Sequence, residues 1–262
     1  MDYGLIIIVA FGVAALTFFS GFGLGSLLMP FFALFFDVRL AIAATAVVHL
    51  FNNIAKSGIM WKHADFKVAA LFAVPAALMA IGGAALLSYI PEDKYLLAYE
   101  LFGKEHLITP VGIVIAVLIA GFAVVEVHPR FEDLSFPAKY IPAGGAVSGF
   151  FGGLSGHQGA LRSAFLIRTG LDKEAFIGTT AISAAVVDVS RLLVYGVTFF
   201  GKHFREIGTA HEAGLIAAGC LAALTGTIIG RRLLEKVTMK SVQWIVAVLL
   251  FLLAAAIGSG VV

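Results

Sequence analysis

The run Ser155-Gly156-His157-Gln158-Gly159-Ala160-Leu161-Arg162-Ser163 puts a titratable ring, an amide, two hydroxyls and a guanidinium inside an otherwise apolar segment. A guanidinium does not rest against lipid. Its planar fork of donors suits an oxyanion held by two parallel hydrogen bonds. Arg162 is therefore a candidate anion ligand, with Gly156, His157, Gln158 and Gly159 beside it. Pairing with a carboxylate such as Asp188, or snorkelling to the interface, is the plainer alternative. A second polar group comprises His49, Asn52, Asn53 and Lys56. His49, Asn53 and Lys56 follow i, i+4, i+7 spacing and share one helix face, with Asn52 a turn from Lys56. A third comprises Ser183, Asp188 and Arg191, in which Asp188 and Arg191, three apart, neutralise each other in the simplest reading. His49 and His157 are candidate proton relays, against the commoner role of a hydrogen-bonded core histidine.

Catalytic chemistry finds little support. There is no His-Glu-x-x-His, no Gly-x-Ser-x-Gly and no phosphate loop ending in Lys-Ser/Thr. Gly21-x-Gly23-x-Gly25 lacks dinucleotide spacing, and one cysteine, Cys220, cannot build a thiolate metal cluster. No cofactor, no metal and no enzymatic activity are expected. Charges scattered between apolar runs form no basic stripe for nucleic acid.

The elements that position these groups follow from composition. Of 262 residues, 60% are hydrophobic and only 13% charged, whereas soluble domains carry about a quarter charged. There is too little polar side chain to cover a water-facing surface. The expectation is a polytopic membrane protein with the lipid bilayer as its first partner. The N-terminus lacks a basic n-region, so its apolar run counts as structure rather than signal peptide. Cys220 reads as a small buried hydrophobe.

Uninterrupted apolar runs lie at 40–60, 68–90, 107–127, 174–200, 212–230 and 241–261. Two others, 4–36 and 139–168, are cut by glycine: Gly21, Gly23 and Gly25 in the first, and Gly149, Gly152, Gly153, Gly156 and Gly159 in the second. A continuous helix over 4–36 would be roughly 50 Å long, more than a hydrocarbon core of about 30 Å. Both are expected to be broken or hairpin segments. Gly226-x-x-x-Gly230 reads instead as a helix-packing motif. The polar connectors, Pro91–His106 among them, are too short for a separate domain.

A shift of 134 residues lays Gly25-Ser26-Leu27 on Gly159-Ala160-Leu161, Ala41 on Ala175 and Thr45 on Thr179. The expected fold is all-α, with two pseudo-symmetric repeats that each open with a glycine-broken helix followed by three transmembrane helices. Residues 1–127 form the first repeat, 128–138 the linker and 139–262 the second repeat. If both broken segments cross, the repeats are parallel and loop Lys and Arg divide nine to six. If both re-enter, the repeats are inverted and the division is ten to five, which agrees better with positive charge gathering in the cytoplasm.

Matched breaks in two repeats point to a central transporter site. A half-helix that starts after a break aims its amides and positive dipole end at that site, which favours an anion. Candidate contacts are Gly23, Gly25, Ser26, Asn52, Asn53, Gly156, His157, Gln158, Gly159 and Arg162. His49, Lys56, Asp188 and Arg191 would line the path or couple transport. A passive anion channel is the alternative. The sequence leaves open whether the chain forms a homo-oligomer.

Gly21-Phe22-Gly23-Leu24-Gly25-Ser26-Leu27-Leu28-Met29-Pro30, with Val38-Arg39-Leu40-Ala41 and Ala44-Thr45, resembles the first repeat of the sulfite exporter TauE/SafE family. Gly149-Phe150-Phe151-Gly152-Gly153-Leu154-Ser155-Gly156, with Leu171, Glu174-Ala175 and Gly178-Thr179, is similar to the second. The resemblance implies a permease of the bacterial inner membrane for small sulfur-containing or organic anions such as sulfite, thiosulfate or sulfonates. The second copy departs from the pattern at His157-Gln158 and at Ala164, which stands where the first copy has Pro30.

Overall fold

The computed structural model describes residues 2–18, 23–91, 94–101, 103–127, 135–200, 210–233 and 239–261. The first broken segment forms α1 (Asp2–Leu16) and α2 (Leu24–Phe32); the second forms α6 (Ile141–Ser155) and α7 (Gly159–Leu166). Helical pairing stops before Gly23 and at Gly156, where φ is +105° and +83°. Only glycine enters that left-handed region at no steric cost. Gly21 and Phe22 lie outside the described residues, as do residues 128–134 of the linker.

The breaks are narrower than the glycine pattern suggests. Gly25 and Ser26 already belong to the first turn of α2, and Gly149, Gly152 and Gly153 belong to α6. Most of these α6 glycines serve packing. A Cβ at Gly145, Gly149 or Gly153 would stand 2.2, 2.0 or 2.0 Å from the carbonyl oxygens of Phe72, Ala76 and Ala80. One glycine per turn thus lets α6 lie backbone to backbone against α4. Gly226 and Gly230 do the same toward Phe11 and Ala15 of α1, as their spacing predicts.

The six uninterrupted runs become α3 (Val38–Met60), α4 (Phe66–Tyr89), α5 (Pro110–Val127), α8 (Lys173–Tyr195), α9 (Ala210–Leu233) and α10 (Met239–Gly258). Aspartate starts three of them. Asp37 accepts from the amides of Arg39 and Leu40, Asp65 from Lys67 and Val68, and Asp172 from Ala175. Such caps satisfy amides that have no partner within the helix. Four stretches, Val38–Met60, Phe66–Tyr89, Lys173–Thr198 and His211–Gly230, are long and apolar enough to cross a bilayer. The chain is a multi-pass, mainly α-helical membrane protein.

The polar stretch after α4 departs from an all-helical fold. It forms an antiparallel hairpin, β1 (Leu97–Leu101) and β2 (Lys104–Ile108), in which Tyr99 faces His106. The run expected from 107 therefore starts as a helix only at Pro110. The hairpin docks on the end of α10, where the Tyr99 hydroxyl donates to the Ser259 carbonyl at 2.7 Å and His106 Nδ1 to Gly260 at 3.2 Å.

Helix neighbours exchange between the halves. α1 lies on α9 and α6 on α4; α3 lies on α9 and α8 on α4; α3 also packs on α8, and α5 on α10. The end of α7 comes back beside the start of α6. Phe165 occupies the space next to Gly144, and the Phe136 amide donates to Ala164 at 3.0 Å. In the first half, Ile6 of α1 and Phe32 of α2 both border Gly219 of α9. The start of α8 meets the α3–α4 turn through His63–Glu174 at 3.0 Å and through the Asp65 amide on Thr179 Oγ1 at 2.9 Å.

Candidate functional site

Asp188 on α8 is the centre of the polar cluster and is fully buried. Its Oδ1 accepts from Arg191 Nη2 at 2.7 Å, Arg191 Nε at 3.1 Å and Gln158 Nε2 at 3.1 Å. Its Oδ2 accepts from His49 Nδ1 at 2.7 Å and Asn53 Nδ2 at 3.2 Å. The i, i+4 pair of α3 and the i, i+3 pair of α8 meet because these helices pack face to face. Gln158 passes the network on, since its Oε1 accepts from Arg162 Nη1 at 3.0 Å. Asp188 and Arg191 do neutralise each other, and the same carboxylate also accepts from three side chains outside α8: Gln158, His49 and Asn53.

The two breaks touch. A methyl group at Gly25 would stand 3.5 Å from the Gly156 carbonyl oxygen and 3.8 Å from His49 Cδ2. The first turns of α2 and α7 follow Gly23 and Gln158, and neither of these positions supplies a side-chain cap. The aspartate-capped α3, α4 and α8 contrast with them.

The opposite ends at the breaks are closed by cations. Lys56 Nζ on α3 donates to the Thr17 carbonyl just past α1 at 3.0 Å, and its charge lies 5.7 Å from the Phe18 ring centre. Arg191 Nη1 on α8 donates to the Gly152 carbonyl in the last turn of α6 at 3.2 Å. The Tyr195 hydroxyl donates to the adjacent Gly153 carbonyl. The dipole at a helix C-terminus favours positive charge, and Arg191 shares the Gly152 carbonyl with the Gly156 amide, which donates to it at 3.0 Å. Lys56 and Arg191 thus act alike in the two halves.

Asn52 turns away from the Asp188 cluster. Its Oδ1 accepts from Thr227 of α9, and its Nδ2 is buried without a partner. His157 Nδ1 donates to the Ser155 carbonyl at 3.0 Å, the ring stacks on Phe122 of α5 at 5.5 Å, and Nε2 is buried without a partner. Buried polar atoms of this kind call for a ligand or water. Gly159 opens α7, and Ser148 Oγ fixes the Gln158 carbonyl at 2.9 Å. Thr227, Tyr195, Thr17 and Phe122 were not singled out from sequence. A lone threonine, tyrosine or phenylalanine in an apolar helix carries no periodic signal.

Among the described residues of this cluster, Lys56, Arg162 and Arg191 are buried cations and Asp188 is the buried carboxylate. A buried charge in a low-dielectric interior costs several kcal/mol unless it is paired, and the hydrogen bonds onto Asp188 and from Gln158 to Arg162 are such pairings. The described residues hold no group of three or more His, Cys, Asp or Glu able to bind a metal ion.

A protein-family comparison agrees in breadth: the model described as Sulfite exporter TauE/SafE matches residues 6–257. No curated protein and no solved structure matches the chain.

Proposed function

We propose, for a chain that belongs to the sulfite exporter TauE/SafE family, a secondary transporter that carries a small sulfur-containing or organic anion across the bacterial inner membrane. The family is one of membrane transporters; the substrate, the membrane and the site are our reading. The observation that carries it is the meeting of the two breaks, with the uncapped starts of α2 and α7 beside the buried network that links Arg162 through Gln158 to Asp188. Arg162, the first amides of α2 and α7, and the partnerless Asn52 Nδ2 supply donors for an oxyanion. Gly23, Gly25, Ser26, Gly156, Gln158 and Gly159 shape the backbone around it, and Asn53 holds the Asp188 network in place.

Two inverted repeats, 1–127 and 139–262 joined by 128–138, account for the exchanged helix neighbours. On this reading α1–α2 and α6–α7 are re-entrant hairpins, and α3–α5 and α8–α10 cross. The return of Phe165 to Gly144 supports it. Exposed Lys62, Lys67, Lys139, Arg168 and Lys173 then share the cytoplasmic face. The solute sits between repeats that rock about it.

The test is calorimetry on the detergent-purified chain with sulfite, thiosulfate, an alkanesulfonate and a carboxylate. At least one should bind, and Arg162→Ala should lose on the order of a hundredfold in affinity, as removal of a charge-assisted pair of hydrogen bonds implies. Undiminished affinity in that variant removes Arg162 from the site. Silence across the whole panel overturns the reading. Counterflow exchange in proteoliposomes distinguishes a carrier from a channel.

A further inference from the structure

Resting on the anion site above, we propose that the Asp188–His49 pair is a proton site linked to it, so that an anion and a proton are carried together. Both Asp188 oxygens are already occupied by donors from four side chains: Arg191, Gln158, His49 and Asn53. His49 commits Nδ1–H to that carboxylate, which leaves Nε2 as the atom that gains or loses a proton. The ring edge carrying Nε2 faces the meeting of the breaks, since His49 Cδ2 and the Gly156 carbonyl both border Gly25. Asn53 Nδ2 is 3.4 Å from Nε2.

The charges facing His49 define the linkage. From α8 come Asp188 and Arg191, from α7 Arg162, and from its own helix Lys56 with the neutral amides Asn52 and Asn53. The α2 turn beside it offers Gly25 and Ser26, which are uncharged, and α9 offers Thr227. With His49 neutral, two buried guanidiniums, Arg191 and Arg162, already face one carboxylate. A proton on Nε2 adds a third positive group, held by Asp188 but repelled by both guanidiniums. An anion at the junction offsets that repulsion. Proton and anion therefore raise each other's affinity by the same factor. His157 lacks this arrangement, because its described partners are a backbone carbonyl and the Phe122 ring.

The experiment is titration calorimetry of the full-length protein with sulfite and with thiosulfate, in buffers of different ionisation heat, between about pH 6 and 8. Comparing wild type with His49→Gln on the same anion cancels the anion's own protonation. Wild type should take up more protons per bound anion than His49→Gln, by a fraction approaching one. Its Kd should rise by up to tenfold per pH unit over the range where the free ring is neutral. His63→Gln, on the exposed α3–α4 turn and outside the site, should keep the wild-type uptake. Equal uptake in wild type and His49→Gln, or loss of the uptake in His63→Gln, overturns the proposal. Wild type in proteoliposomes gives a check that needs no variant: a pH gradient alone should drive thiosulfate or sulfite accumulation, and failure to do so overturns it as well. If wild type binds no anion of the panel above, the anion site itself fails; binding without the proton difference sinks only the proton linkage.

Discussion

Gly82 and Gly83 are neighbours on α4 with opposite surroundings. A Cβ at Gly82 would have nothing within 4 Å, whereas one at Gly83 would stand 2.0 Å from the Phe150 carbonyl oxygen and 2.9 Å from the Leu154 amide nitrogen. Carbon and carbonyl oxygen rest at about 3.3–3.6 Å, so Gly83→Ala requires α4 and α6 to part by more than about 1 Å. Both substitutions gain similar helix propensity, at most about 1 kcal/mol. Their difference therefore isolates the overpacking, about 1–3 kcal/mol. Reversible unfolding in mixed detergent and SDS should show Gly82→Ala as stable as wild type or slightly more so, and Gly83→Ala less stable by that margin. Function should follow. Phe150 and Leu154 lie in the last turns of α6, where Arg191 holds the Gly152 carbonyl at 3.2 Å. A shift of about 1 Å breaks such a bond, so Gly83→Ala should also weaken anion binding. If the two variants unfold within about 0.5 kcal/mol of each other, a spread expected of substitutions that touch nothing, the account of backbone contact between α4 and α6 is wrong.

Asp188→Asn strips the carboxylate from a cluster of buried donors and should cost about 3–5 kcal/mol in the same assay; a variant of wild-type stability would show that Asp188 does not organise the site. The inverted arrangement predicts sidedness for exposed positions. Cysteines at Lys67 or Lys139 should react with an impermeant maleimide only from the cytoplasm, and one at Lys104 only from outside. Cys220→Ser supplies the background, since Cys220 is the single native cysteine and is buried. Labelling of Lys67 and Lys104 from one side would exclude the arrangement.

Helix positions were legible because lipid imposes length and apolarity, and both can be read residue by residue. Periodicity placed His49, Asn53 and Lys56 on one face, and the structure sets His49 and Asn53 on Asp188. Spacing along one helix says nothing of which helix lies opposite. Asn52 was grouped with the same face but meets Thr227 of α9. Glycine was ambiguous for the same reason. Gly156 is needed for its positive φ, while Gly149 is needed because Ala76 approaches it. Residue type is identical in the two cases; only the neighbour differs. The hairpin at 97–108 was missed because its five-residue strands expose both faces and show no clean alternation.

A helix broken inside a membrane exposes two ends of opposite sign, and the protein treats them differently. The negative ends, the closing carbonyls of α1 and α6, receive Lys56, Arg191 and Tyr195. The positive ends, the opening turns of α2 and α7, have no side-chain cap, although aspartate caps start α3, α4 and α8. Were the breaks only flaws in packing, there would be no reason to answer one polarity and leave the other. Lys56 and Arg191 are committed to carbonyls. On the function proposed above, Arg162, joined to the network through Gln158, is the cation that meets the solute. The same division explains the departure at His157-Gln158: these residues occupy the break itself, where Gln158 ties Arg162 to Asp188 and His157 leaves Nε2 buried without a hydrogen-bond partner.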